Sequence, residues 1–130
     1  MKKKWSLNEK YTELQGLYST YQICPLSVTL NAIGGKWKPA VYRVISLGVN
    51  RFGEMHHALE GISKRMLTRY LREMEDDGII HREVFPVVPP KVEYSLTDFG
   101  KTLKPVFAAI EKWGLEHGDK TDTAPDEQVE

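Results

Sequence analysis

The sequence predicts a mainly α-helical chain carrying one small β-hairpin, an α+β fold. Three observations predict it. From Gly61 to Gly78 the run GISKRMLTRYLREMEDDG sorts cleanly around the roughly 100° per residue of a helix, with a cap signal at each end. From Ile80 the periodicity shortens to that of strands, interrupted by a proline-rich loop. From Thr97 a helical spacing of apolar residues returns and persists to Trp113.

The elements follow in order. Tyr11, Leu14, Leu17 and Tyr18 share one side of a short amphipathic helix. Pro25, after Cys24, suits a helix N-terminus because its missing N–H would have no partner there. That helix continues through Val28 to Ile33 and must stop at Gly34-Gly35. Trp37, Val41, Tyr42, Val44, Ile45 and Leu47 form a strongly apolar helix, with Pro39 tolerable in its first turn and Gly48 ending it. Phe52, Met55 and Leu59 make a third short helix closed by Gly61. Ser63 can cap the next helix through a free backbone N–H, and Gly78 can end it in the left-handed conformation. Ile80–Phe85 and Val92–Leu96 read as strands around PVVPPK, a loop too rich in proline for a strand interior. Thr97 then caps one long helix bearing Phe99, Leu103, Val106, Phe107, Ile110 and Trp113, which Pro105 should kink. Helices, a helix-turn-helix, a hairpin and a long helix in that order make a winged helix-turn-helix with extra elements at both ends.

At 130 residues, 41% hydrophobic and 28% charged, the chain reads as one soluble domain. No apolar run approaches the roughly 18–20 residues that span a bilayer, so no membrane partner is expected. The basic start MKKKWSLNEKY leads into no apolar core of a signal peptide. A single cysteine excludes an internal disulfide framework and fits a reducing cytoplasm. The domain is expected over residues 1–118, with the helix-turn-helix about 51–77, the wing about 80–96 and a C-terminal dimerisation helix about 97–117. Residues 119–130 read as an acidic, disordered tail. The zero net charge hides an uneven distribution: residues 111–130 carry seven acids and two bases, so residues 1–110 hold a net charge of +5. The part that folds is basic, which is compatible with nucleic acid.

Around the helix after Ser63, Leu67, Leu71 and Met74 share an apolar back, while Arg65, Thr68, Arg69 and Arg72 share the front. The acids Glu73, Glu75, Asp76 and Asp77 fall only in the last turns. Such a face suits the major groove of double-stranded DNA, where the planar arginine fork reads guanine O6 and N7. No nucleophile–base pair is recognisable, and no enzymatic activity is expected. His56-His57 point about 100° apart on a helix and cannot chelate one ion together, and His81 and His117 offer no ligand spacing. Neither a metal nor a cofactor is expected. Gly34-Gly35-Lys36-Trp37 lacks the spacing of a phosphate loop and reads as an interhelical turn with Trp37 in the core.

IGGKW (Ile33–Trp37), RFGEM (Arg51–Met55), the Gly61–Gly78 run and PPKVEYSLTDFG (Pro89–Gly100), preceded by Cys24-Pro25, resemble the HxlR family of bacterial transcription regulators over roughly residues 22–114. The resemblance implies a cytoplasmic homodimer with a winged helix-turn-helix in each subunit. It also implies that Cys24 stands at the position through which some members respond to oxidants or electrophiles.

With that resemblance, Arg65 and Arg69 are expected on bases, Arg72 divided between base and phosphate, and Ser63, Lys64 and Thr68 near phosphate at the helix start. Arg51 opens the first helix of the motif and is expected on the DNA backbone, and Lys91 is expected at the wing tip. Leu103, Phe107, Ile110 and Trp113, joined by Leu14, Leu17 and Tyr18, are expected to form the dimer interface. Cys24 reads two ways: as a small buried hydrophobe, or as a thiol activated by a helix dipole and open to a small reactive effector. Two readings compete with the sensing regulator. One is a winged-helix module that binds protein instead of DNA, and the other a constitutive regulator with an inert Cys24.

Overall fold

Pro25 opens the first described helix because its fixed φ suits the first turn, and Gly34 closes it by donating its N–H to the Leu30 carbonyl at 2.7 Å. In this computed structural model, residues 24–121 are described. They form α1 (Pro25–Ile33), α2 (Lys38–Ser46), α3 (Phe52–Ala58), α4 (Lys64–Asp76), β1 (Ile80–Phe85), β2 (Lys91–Leu96), α5 (Asp98–Lys101) and α6 (Lys104–His117). The expected helix at Tyr11–Tyr18 and the end of the acidic tail lie outside the described residues. No helix among the described residues is long and apolar enough to cross a membrane.

The core joins Ile33 of α1, Val41, Tyr42 and Ile45 of α2, Met55 of α3, and Leu67, Leu71 and Met74 of α4. Trp37 packs against its edge. Helix α2 is central: it packs against α3, α4 and β2. Helix α4 ends in a Schellman motif, with Gly78 N–H on Glu75 O at 3.0 Å and Ile79 N–H on Met74 O at 2.9 Å. Gly78 takes φ +77, the left-handed conformation in which a side chain would be strained. The chain then turns directly into β1, which pairs antiparallel with β2 from Ile80↔Leu96 to Phe85↔Lys91. A further bond, Tyr94 N–H to Asn50 O at 2.9 Å, ties the hairpin to the entry of α3.

The single kinked helix expected from Thr97 to residue 117 is instead two helices. Thr97 Oγ1 accepts the Gly100 N–H at 2.8 Å and so caps only the four-residue α5. The chain breaks at Thr102-Leu103, and Pro105 sits in the first turn of α6, where a proline needs no N–H partner. Gly118–Lys120, partly within the segment expected as a tail, form a 3₁₀ turn.

Candidate nucleic-acid interface

Ser63 Oγ accepts the Met66 N–H at 3.1 Å and starts α4 on an extended residue. The back of α4 is buried: Leu67 is 0%, Leu71 2% and Met74 1% exposed. Its front is open, with Ser63, Lys64, Arg65, Arg69 and Arg72 exposed and Thr68 half-buried. Thr68 Oγ1 donates to Lys64 O at 2.8 Å, so its proton is committed to the helix and its lone pairs remain for an outside donor. Among the described residues no ion pair holds Arg65 or Arg72. Arg69 differs: its Nε lies 3.4 Å from Glu73 Oε2, and its guanidinium sits 5.3 Å from the Tyr70 ring centre.

Around α4 the other elements bring further cations. Arg51 is the exposed N-cap of α3, next to the Asn50 carbonyl that β2 holds. Between α4 and the wing lies a hollow of about 330 Å³ lined by Phe52, Thr68, Leu71, Arg72, Glu75, Arg82 and Tyr94. Arg82 was not among the residues singled out from the sequence. The available signal was the two-residue period of β1, which puts Arg82 on the same face as buried Ile80 and so toward α4.

Lys91 stands at the outer end of the wing, directly after the proline-rich loop. It forms the first rung of the ladder opposite Phe85, its Nζ 4.7 Å from that ring's centre and 3.7 Å from Glu93 Oε2. The tip is apolar, with Val87 and Val88 exposed between the prolines.

The other candidates fall into separate places. Cys24 is the half-buried, extended N-cap of α1, and its carbonyl accepts the Val28 N–H at 3.0 Å. The apolar stripe of the C-terminal helix divides. Leu103 and Phe107 pack against the chain's own core, Phe107 4.3 Å from the Tyr42 ring, while Ile110 and Trp113 remain exposed. Leu14, Leu17 and Tyr18 lie outside the described residues. Among the described residues, no three His, Cys, Asp or Glu side chains gather where they could hold a metal ion.

Two groups have displaced pKa values. The Glu73 carboxyl is held below its ordinary value, first by its hydrogen bond from Lys38 and with Arg69 adding to it. Burial pushes the Tyr42 hydroxyl up, and that hydroxyl donates to Gly100 O at 2.7 Å.

A basic helix on a buried apolar back, a short helix before it and a hairpin against its flank are the parts of a winged helix-turn-helix. The model of the HxlR-like helix-turn-helix family matches residues 32–122. The chain belongs to the HxlR-like family. It is a transcriptional regulator of the helix-turn-helix type. It is 46% identical over 108 residues to the uncharacterised regulator YybR of Bacillus subtilis (strain 168), covering 83% of this chain and 86% of that one. The solved structure of the redox regulator HypR in its reduced form is similar at TM-score 0.70 and 49% identity, over 74% of this chain and 95% of that one. HypR in its oxidised form is similar at TM-score 0.67 and 50% identity, over 72% of this chain and 96% of that one. These HxlR-like relatives are regulators, not enzymes.

Proposed function

We propose that this HxlR-like regulator acts in the cytoplasm as a homodimer that binds a palindromic site on double-stranded DNA. Helix α4 enters the major groove. Arg65, Arg69 and Arg72 read base edges, while Ser63, Lys64, Thr68, Arg51 and Arg82 hold the backbone and Lys91 reaches it from the outer end of the wing. The carrying observation is the α4 front itself: three exposed arginines on a helix whose opposite face is fully buried. Exposed Ile110 and Trp113 favour a second copy as their cover, continuous with Leu103 and Phe107 and joined by Leu14, Leu17 and Tyr18. A two-fold dimer then spaces its two α4 helices about one DNA turn, roughly 34 Å. Control passes through Cys24, by oxidation or by modification with a small electrophile. The support for this is its place at the start of α1 and the likeness to HypR, named a redox regulator.

The test is selection of genomic fragments by the purified, reduced protein at near-physiological salt. Enrichment of a palindrome with half-sites one turn apart is expected. An intact dimer that enriches nothing would overturn the reading. Repeating the selection with oxidised protein and with Cys24→Ser tests the control: oxidant should change wild-type binding and leave the variant unmoved.

A further inference from the structure

Lys38 is the one charged residue in the buried set among the described residues, its side chain only 10% exposed. A buried ammonium needs partners, because desolvation without them is costly. It has two. Its Nζ donates to Asn31 O at 3.3 Å, in the last turn of α1, where helix carbonyls lack intrahelical donors and the dipole favours a cation. It also lies 3.0 Å from Glu73 Oε1 on α4. The second Glu73 oxygen faces the Nε of Arg69 at 3.4 Å. One carboxylate thus spans a buried cation on α2 and a cation on the DNA-facing surface.

The consequence lies in which nitrogen Glu73 takes. Guanine is read by two donors of the guanidinium fork. A carboxylate on Nε leaves the two terminal amino groups without an ion pair among the described residues, and the Tyr70 ring lies 5.3 Å from the guanidinium. Arg65 and Arg72 have no such brace among the described residues. A side chain held in its productive orientation loses less freedom when it binds.

We propose that the Lys38–Glu73 pair is a positioning device for Arg69, and that it sets how sharply the regulator discriminates at the base pair Arg69 reads. Lys38 touches no DNA in this arrangement and acts through Glu73. This inference rests on the DNA-binding reading above.

The experiment compares the wild type with Lys38→Met, Glu73→Gln and Arg69→Ala, each alone and as Lys38→Met/Arg69→Ala. Binding is measured to the selected operator and to a panel with each base pair of a half-site changed singly. Lys38→Met keeps the buried stem and leaves the partly exposed Glu73 in contact with water. Glu73→Gln keeps an acceptor for Lys38, and so covers the case in which Lys38→Met does not fold. Discrimination should fall about tenfold at one base pair per half-site in both variants, with the other positions unchanged. In the Arg69→Ala background, Lys38→Met should have no further effect. Uniform weakening at all positions, an effect that persists without Arg69, or an unchanged profile in Glu73→Gln would each overturn the positioning role. A wild type that selects no operator would instead sink the DNA-binding reading itself.

Discussion

Gly100→Ala should be among the most damaging conservative changes in this chain, although the residue is far from the arginine face. A Cβ built on Gly100 would stand 2.0 Å from the Ile79 carbonyl oxygen and 3.0 Å from its carbon. Both are backbone atoms, so no flexible side chain can yield, and the two segments must part by more than an ångström. That movement pulls on a knot of hydrogen bonds. Ile79 O accepts the Thr97 N–H at 3.1 Å, Thr97 Oγ1 accepts the Gly100 N–H at 2.8 Å, and Gly100 O accepts the Tyr42 hydroxyl at 2.7 Å. Losing two or three of these at about 1 kcal/mol each gives about 2–3 kcal/mol. Residual crowding adds about 1–3 kcal/mol, and the better helix propensity of alanine returns up to about 1 kcal/mol. A net loss of about 3 kcal/mol is expected. Urea unfolding followed by far-UV circular dichroism measures it, as a midpoint about 1–2 M lower at unchanged slope. Gly114→Ala is the control, since a Cβ there meets nothing within 4 Å and α6 should tolerate it. A Gly100→Ala midpoint equal to that of the wild type would refute the argument that backbone contact between α5 and the start of β1 is obligatory.

Arg69→Ala should lower operator affinity by about 1–3 kcal/mol and relax selection at one base pair per half-site; equal weakening on every sequence would make Arg69 a phosphate contact only. Arg82→Ala should reduce the slope of log affinity against log salt by about 0.9 for each chain on the DNA, and an unchanged slope would take β1 out of the interface. Ser63→Ala should cost about 1 kcal/mol of stability through loss of the α4 cap, read by the same urea titration. Glu73 titrates below its ordinary value in the folded chain, so the stability its ionised form contributes is full above the unfolded carboxylate pKa and lost as the pH falls through the folded value. The stability gap between wild type and Glu73→Gln should therefore narrow from neutral pH into acid, and a gap that stays constant would mean the carboxylate charge is not what matters.

How much of this molecule was readable in advance depends on the range over which each feature is decided. Helix α4 was legible because its cap, its period and its Gly78 stop are all local, and the observed bonds of Ser63, Gly78 and Ile79 reach partners three to five residues away. The strands were legible for the same reason, down to β2 beginning one residue earlier than expected. The break between α5 and α6 was not. Pro105 is compatible with a kink or with a fresh first turn, and what favours the break is the approach of Gly100 to Ile79, a contact between residues far apart in sequence.

The same distinction of range separates the parts of the candidate interface. Arg65, Arg69 and Arg72 share a face by helical geometry alone, so the front of α4 could be named from spacing. Lys91 lies beside the prolines at the outer end of the wing, but ladder register decides what its side chain meets: opposite Phe85 it is a strand residue with Glu93 beside it. Arg82 and Lys38 were invisible for a deeper reason. Each acquires its role only when a second element packs beside it, Arg82 across the hollow from Arg72 and Lys38 against Glu73 on the neighbouring helix. A cation in a strand or at a helix start carries no mark in sequence of what will face it. Periodicity can therefore identify which arginines are presented to DNA. It cannot identify what holds one of them in place, because that depends on a lysine 31 residues earlier in the chain and on the packing that buries it.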